Sequence, residues 1–410
     1  MAFSNIFDPS RIAALASKSM ESNSSDVARV LSRKHLGLED FATLISPAAT
    51  SQLELLCARS SGLTRRRFGR AIRLFAPLYL SNECINICRY CGFSGDNPIR
   101  RVTLAIDDVV QEAQELVMMG FRNLLLVSGE HPKFVSNGYL EHCLIALRPI
   151  IPSLSIEVAP MEIDAYGRLV AAGSEGLVVY QETYDRDAYS KVHISGPKRD
   201  FDWRLDSVER GYEAGFRRLG IGALFGLSPW REEAIGLASH ALHLLKYCWK
   251  SHITLSLPRL RPCAGSFQSS EVLPDQEFTQ LIAALRLLLP DVGIVLSTRE
   301  PAWLREGLIP LGVTLISAGS HTEPGGYTGA GKDKVILKTR ASASIMESSD
   351  QTKPATQTRT TATEQFNIAD ERSPAEMAEV LVKLGLDPVW KDWDQTLTPE
   401  GERDYQSTPR

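Results

Sequence analysis

The amino-acid sequence predicts an α/β protein, a (β/α)8 barrel of the TIM type with an N-terminal helical leader and a C-terminal tail. Two observations carry this expectation. From Pro77 onward, short β-rich runs alternate with helical stretches, the signature of repeated βα units around a parallel sheet. These runs number eight: Leu78–Leu80, Arg122–Val127, Leu154–Val158, Gly176–Tyr180, Arg218–Ala223, Ile253–Leu257, Gly293–Leu296 and Val313–Ile316. Each intervening segment is long enough for a right-handed crossover.

In chain order, residues 1–76 read as the helical leader. DPSRIAALAS, SSDVARVLSRK, LEDFATLIS and QLELLCARSSGLTRRRFG carry apolar residues at spacings of three and four behind Ser or Asp caps. Residues 77–328 form the barrel, with helices expected in VTLAIDDVVQEAQELVMMG, DWRLDSVERGYEAG, WREEAIGLASHALHLLKYCW and DQEFTQLIAALRLLLP. Residues 329–363 lose large apolar side chains and gain Ser, Thr, Ala and charge, so they read as a flexible polar insert. Residues 364–410 resume with a capped helix, SPAEMAEVLVKLG, and a tail, LDPVWKDWD, whose two tryptophans are expected to anchor it to the body.

Composition narrows the function. With 43% hydrophobic and 23% charged residues in 410, the chain is neither collagen-like, wholly disordered nor a coiled coil. Its 45 Lys+Arg against 49 Asp+Glu leave a net charge of -4, without the basic field that holds a phosphate backbone. Nucleic acid is not an expected partner. The apolar run Leu281–Leu289 is interrupted by Arg286 and stops at Pro290, short of the ~20 residues that cross a bilayer. No membrane partner is expected either. The N-terminal stretch lacks the basic and apolar regions of a secretory signal, and Asp8, Glu21 and Asp26 weigh against a transit peptide. The expected location is cytoplasmic.

Seven cysteines, an odd number, do not make a disulfide framework in a chain without an export signal. Cys57, Cys143, Cys248 and Cys263 are scattered among apolar neighbours, where a free thiol behaves as a small hydrophobe. Cys84, Cys88 and Cys91 are different: a CxxxCxxC loop, CINICRYC, directly after the first strand. Three thiolates at this spacing can converge on one metal centre. Structural zinc wants four protein ligands, and this loop holds no fourth Cys or His. An iron-sulfur cluster bound by three cysteines keeps one iron open to an external molecule.

The polar motifs share a location. SGE (128–130) ends the second run, QET (181–183) the fourth, GALFG (222–226) the fifth, RLRPC the sixth and STRE (297–300) the seventh. These are C-terminal strand ends, the face on which barrel enzymes build their sites.

The cysteine loop resembles the signature of radical S-adenosylmethionine (SAM) enzymes. LYLSNECINICRYCGFSGDNPIRRVTL, LLLVSGEH, VYQETY, GPKRDFDWRL, GALFGLSPWR, PRLRPC, LSTRE, QFNIADERS and PVWKDWD are similar to successive blocks of 2-iminoacetate synthases, the tyrosine lyases of thiamine biosynthesis called ThiH, from about Ala76 to Asp394. That resemblance implies a [4Fe-4S] cluster on Cys84, Cys88 and Cys91, with SAM on the open iron. It implies cleavage of the Cα–Cβ bond of L-tyrosine to 2-iminoacetate and p-cresol, begun by a 5'-deoxyadenosyl radical. It also implies a low-potential electron donor such as flavodoxin or ferredoxin, and a thiazole synthase partner, ThiG.

Charge complementarity then suggests roles. Glu182 suits the SAM ammonium and Arg204 its carboxylate. Ser128, Gly129 and Glu130 resemble the family's amino-group loop, Tyr90 is expected beside the adenine, and Gly222 with Gly226 would leave room for it. An arginine is the natural counter-ion for the tyrosine carboxylate, Arg299 first, with Arg259 and Arg261 as alternatives. Glu182 and Arg204 could instead form a surface ion pair, Glu130 could be a helix N-cap acid, and any of the three arginines could pair structurally with Glu300 or Glu182; His131 and His321 read as structural histidines. Competing readings are another radical SAM aromatic amino acid lyase or a noncatalytic iron-sulfur subunit. The related lyase of hydrogenase maturation needs cysteines for a second cluster near its C-terminus, and here none follows Cys263.

Overall fold

The computed structural model describes residues 2–269, 271–328 and 362–390, and the backbone of 336–339 and 342–344. All eight expected strands form: β1 (Ala71–Ser81), β2 (Asn123–Ser128), β3 (Ser153–Glu157), β4 (Gly176–Glu182), β5 (Arg218–Ala223), β6 (His252–Ser256), β7 (Gly293–Leu296) and β8 (Leu315–Ser317). Every neighbouring pair is parallel, and β8 returns to β1 with Arg73 opposite Leu315 and Phe75 opposite Ser317, closing the barrel. Helices occupy the crossovers, for example Ile106–Met118, Trp230–Tyr247 and Asp275–Leu288. The alternating strand side chains fill a core that is continuous with the inner faces of these helices.

β1 begins at Ala71, ahead of the expected start of the barrel at residue 77. Pro77 does not mark where the first strand begins. Its fixed φ suits extended backbone and only one ladder donor is lost, so the strand runs through it opposite Leu125. The Pro77 carbonyl takes a hydrogen bond from the Tyr327 hydroxyl at 2.8 Å.

The leader consists of α1 (Pro9–Met20), α2 (Ser24–Leu31), α3 (Leu38–Leu44) and α4 (Leu53–Phe68), with Asp8 and Asn23 capping the first two. These helices pack on the barrel and share its core. Gln280, fully buried in Asp275–Leu288, donates to the carbonyls of Leu44 and Ser46, each at 2.8 Å, and Ser60 of α4 donates to Leu311 O.

The expected insert at 329–363 lies largely outside the described residues. The backbone of Ile336–Thr339 pairs antiparallel with Arg100–Arg101. By Thr363 the chain is again bonded to the barrel, through Arg100 and Asn82, so the polar stretch ends in contact with the body. Asp387–Val389 adds a short parallel strand to the start of β1. Trp390 packs edge-on against Phe121 as expected of an anchor, and Trp393 lies outside the described residues.

Candidate active site

β1 delivers the chain directly into the cysteine loop, which is fixed from beneath by buried polar groups. Arg101 is 2% exposed and donates to the carbonyls of Asn82 and Ser94, both at 2.6 Å. The Asn97 amide reaches the carbonyls of Cys91, Gly92 and Ala264. Ile87–Cys88 pairs with His193–Ser195 across the mouth. Each of these groups satisfies backbone that a loop leaves open, which makes the loop a rigid seat.

Cys84 and Cys91 are partly exposed and Cys88 is buried. Burial pushes the Cys88 thiol up and that of Cys91 up to about 11; Lys198 opposes the rise and the neighbouring thiols add to it. Three thiolates in so dry a loop repel one another and need a strong cation to ionise. Weak donors already face two of them: the Asn86 amide lies 3.7 Å from Cys84 Sγ and the Gln365 amide 3.8 Å from Cys91 Sγ. Among the described residues no three His, Cys, Asp or Glu side chains gather around a single metal ion. Three thiols with no fourth Cys or His in the loop fall short of a structural zinc site and would suit an iron-sulfur cluster that keeps one iron open.

Beside the loop sits a buried charge set. Glu182 ends β4 in the left-handed region, at φ 73°, after an irregularity in the ladder with β5. A non-glycine residue there is uncommon and strained, which marks sites where a side chain is re-aimed. Its carboxylate accepts from Lys198 Nζ at 2.6 Å and lies 3.6 Å from Arg204 Nη2. Burial works against the charged carboxyl, but Lys198 and Arg204 outweigh it and hold it below its ordinary value. The three side chains therefore form one largely buried charge set. Lys198 stands inside the GPKR motif and was not selected by sequence reasoning. Its backbone N–H bonds Asn86 Oδ1 at 2.9 Å, tying the set to the cysteine loop.

Tyr90 is buried, with its hydroxyl 2.8 Å from His193 Nε2. It packs with Cys88, Val192 and Leu224, with Leu260 and Phe267 at the edge. The two glycines expected to leave room for adenine have other neighbours. A Cβ at Gly222 would lie 2.7 Å from Ser256 O and 2.9 Å from the Tyr180 ring, and one at Gly226 would lie 2.7 Å from Leu260. Gly222 makes room for Tyr180, while Gly226, at φ 124°, also takes a conformation that glycine favours. In the SGE motif, Gly129 permits close approach to Glu83 O, 2.3 Å from where a Cβ would stand. Glu130 accepts from Ile85 N and from the Asn86 amide, at 2.8 and 2.6 Å, and Ser128 Oγ is buried without a partner among the described residues.

Below the loop lies a cavity bounded by Cys91 and Tyr90 on one side and by STRE on the other. The three candidate arginines separate clearly. Arg259 is committed to Glu300 and, at 2.7 Å, to Asp275, and it does not line the cavity, which removes it as a ligand for a substrate carboxylate. Arg261 lines the cavity 3.5 Å from Glu300, and among the described residues its Nε and Nη2 find no hydrogen-bond partner. Arg299 lines it too, its guanidinium 3.3 Å from the centre of the Phe366 ring, and among the described residues no carboxylate pairs with it.

Besides Lys198, the cavity residues Glu157, Gln365 and Tyr180 escaped sequence reasoning. Glu157 ends β3, an acid at the end of an apolar run, and the strand-end rule that found SGE and STRE would have found it. Gln365 returns from beyond the polar stretch to accept from the Tyr79 hydroxyl at 2.8 Å, and no local signal marks it. Tyr180 lies one position before QET. His131 and His321 make local contacts: His131 accepts from the backbone of Lys133, and His321 lies 3.2 Å from Glu323.

Fold and site together define a radical SAM enzyme: a parallel barrel with three thiols on the loop after its first strand and a cavity beneath them. Residues 78–238 match the model of the Radical SAM superfamily, and residues 256–387 match the Biotin and Thiamin Synthesis associated domain. The chain is 40% identical to the 2-iminoacetate synthase of Escherichia coli K12 over 92% of its own length and 93% of that protein's. It is equally similar, at 40% over 91%, to the 2-iminoacetate synthase of Salmonella typhimurium LT2. The X-ray structure of the FeFe-hydrogenase maturase HydG from Carboxydothermus hydrogenoformans superposes with a TM-score of 0.81 at 33% identity, covering 94% of this chain and 84% of that one. The chain belongs to the 2-iminoacetate synthase family, radical SAM lyases that use a [4Fe-4S] cluster and SAM.

Proposed function

We propose that this site cleaves the Cα–Cβ bond of L-tyrosine to give 2-iminoacetate and p-cresol, with Cys84, Cys88 and Cys91 as the cluster ligands. Bound cluster and SAM supply the one-electron chemistry that starts the reaction. Glu182 and Arg204 receive the ammonium and carboxylate of SAM, with Lys198 holding Glu182 ionised and correctly aimed. Tyr90, Leu224 and Leu260 form the apolar wall for its adenine, and the 128–130 loop supports Cys84 from behind.

The observation that carries the reading is Arg299, a cation in the cavity with no carboxylate partner among the described residues. A half-buried guanidinium that forms no ion pair with a described carboxylate is open to a substrate carboxylate, which matches its planar fork. Arg261, unsatisfied at two nitrogens, supports it from the side. The chain from Gln365 to Asp370 covers the mouth: Asn367 N bonds Pro262 O and Ala369 N bonds Thr298 O, both at 2.9 Å. Such a cover keeps water from a reactive radical and holds one hydrogen in reach.

The chemistry also fits partners: a low-potential donor such as flavodoxin or ferredoxin, and a thiazole synthase, ThiG, to consume the unstable imine. No described helix is long and apolar enough to cross a membrane. The test is anaerobic reconstitution with iron and sulfide, then incubation with SAM, dithionite and tyrosine. p-Cresol, glyoxylate from hydrolysed imine and 5'-deoxyadenosine are expected together; SAM cleavage without p-cresol would refute the proposal.

A further inference from the structure

We infer that Glu157 is the specificity-determining residue of this enzyme, receiving the phenolic hydroxyl of the substrate at the cavity wall opposite Arg299. The inference rests on tyrosine being the substrate, as proposed above. In a closed barrel of eight strands the third and seventh stand across from each other. Glu157 is the last residue of β3, and Arg299 follows shortly after β7. Both line the same cavity. An amino acid held by its carboxylate at Arg299 therefore directs its side chain toward β3.

The other polar groups near that wall are already engaged. The Tyr79 hydroxyl donates to Gln365, the Tyr180 hydroxyl is bonded to Ser256, and Glu182 is held by Lys198 and Arg204. Glu157 has neither a hydrogen bond nor an ion pair among the described residues. Around it the cavity is apolar, with Phe75, Leu125 and Val127 among its lining. Burial, reinforced by the charge on Glu182, pushes its carboxyl up to about 7, so near neutral pH the group can either donate to or accept from a hydroxyl. A ligand without the hydroxyl leaves this carboxyl desolvated and unpaired, and a site built around such a group discriminates strongly against it.

The test compares tyrosine and phenylalanine binding to reconstituted holoenzyme with SAM and no reductant, by calorimetry, in the parent and in Glu157→Ala and Glu157→Gln. The parent should prefer tyrosine by a factor on the order of 100 or more. In Glu157→Ala the preference should fall below about 10-fold through loss of tyrosine affinity, with phenylalanine affinity held or improved. Glu157→Gln keeps a hydrogen-bonding group and should retain most of the preference. Cluster absorbance and SAM affinity, unchanged in both variants, report that the barrel is intact. An undiminished preference in Glu157→Ala would overturn the inference, and equal losses for both amino acids would do so by placing Glu157 at the ammonium. A parent that binds neither amino acid would instead overturn the substrate reading, and this inference with it.

Discussion

The Gly92 N–H donates to the Gln365 carbonyl at 3.1 Å, and a Cβ added at Gly92 would stand 2.4 Å from that same oxygen. The residue after the last cluster cysteine is thereby clamped to the segment that covers the barrel mouth, and the same Gln365 reaches Cys91 Sγ through its side-chain amide. Glycine is required here for close backbone approach.

Gly92→Ala should accordingly displace either the cysteine loop or the 365 segment. The expected result is a folded barrel with normal far-ultraviolet circular dichroism and a reduced iron content after reconstitution. Full cluster loading together with parental activity would show that the clamp is dispensable.

Replacing Cys84, Cys88 or Cys91 with Ala should abolish the brown chromophore and SAM cleavage. Cys143 and Cys248 are buried among apolar neighbours and Cys57 partly so. Their Ala variants should retain the cluster and lose stability by about 1 kcal/mol each. Iron analysis and chemical denaturation separate the two groups, and unaltered activity in Cys88→Ala would contradict the ligand assignment.

The arginines should divide by function. Arg299→Ala should weaken tyrosine binding by about 1.5–3 kcal/mol, the worth of a charge-assisted hydrogen bond, and leave SAM binding close to parental. Arg204→Ala should do the reverse, weakening SAM more than tyrosine. Arg259→Ala removes the main partner of Glu300, which is 2% exposed, and should destabilise the fold by about 3–5 kcal/mol with little effect on either ligand once folded. Calorimetry on all three, beside urea denaturation, decides it; equal loss of both ligands in Arg204→Ala and Arg299→Ala would refute the division.

The barrel was legible because each strand is a short apolar run between helical periods, and the motifs at its mouth are local. What escaped depended on distance in the chain. Arg259 looks like Arg261 and Arg299 in sequence, and only the fold reveals that Glu300 and Asp275 claim it. Gly222 reads as space for a ligand, yet Tyr180 on the neighbouring strand fills that space. Gln365 meets Cys91 across more than half the chain. Glu157, by contrast, is legible locally: an acid at a strand end in an apolar run needs a reason.

The last prediction concerns a buried histidine outside the active site. His240 stacks on Phe3 with ring centroids 4.4 Å apart, lies 2.9 Å from the Tyr184 hydroxyl through Nδ1, and has no partner at Nε2 among the described residues. Burial, with the charge of His243 beside it, depresses its pKa to about 3. The unfolded chain titrates this imidazole near 6.5, so between about 6.5 and 3 the unfolded state binds the extra proton. Its contribution to stability is complete above pH 6.5 and is lost as pH falls. His240→Phe keeps the stacking, gives up the Tyr184 contact and has nothing to protonate, so it should be less stable than the parent at pH 7.5. That deficit should shrink on acidification below pH 6.5, by up to about 1.4 kcal/mol per pH unit. Acidic groups such as Glu209 and Glu233, whose carboxyls are raised to about 7 by burial, push the other way but are present in both proteins, so the difference isolates the histidine. Urea denaturation of both at pH 7.5, 6.0 and 5.0 measures it, and a constant difference across that range would show that His240 is protonated as readily in the fold as outside it.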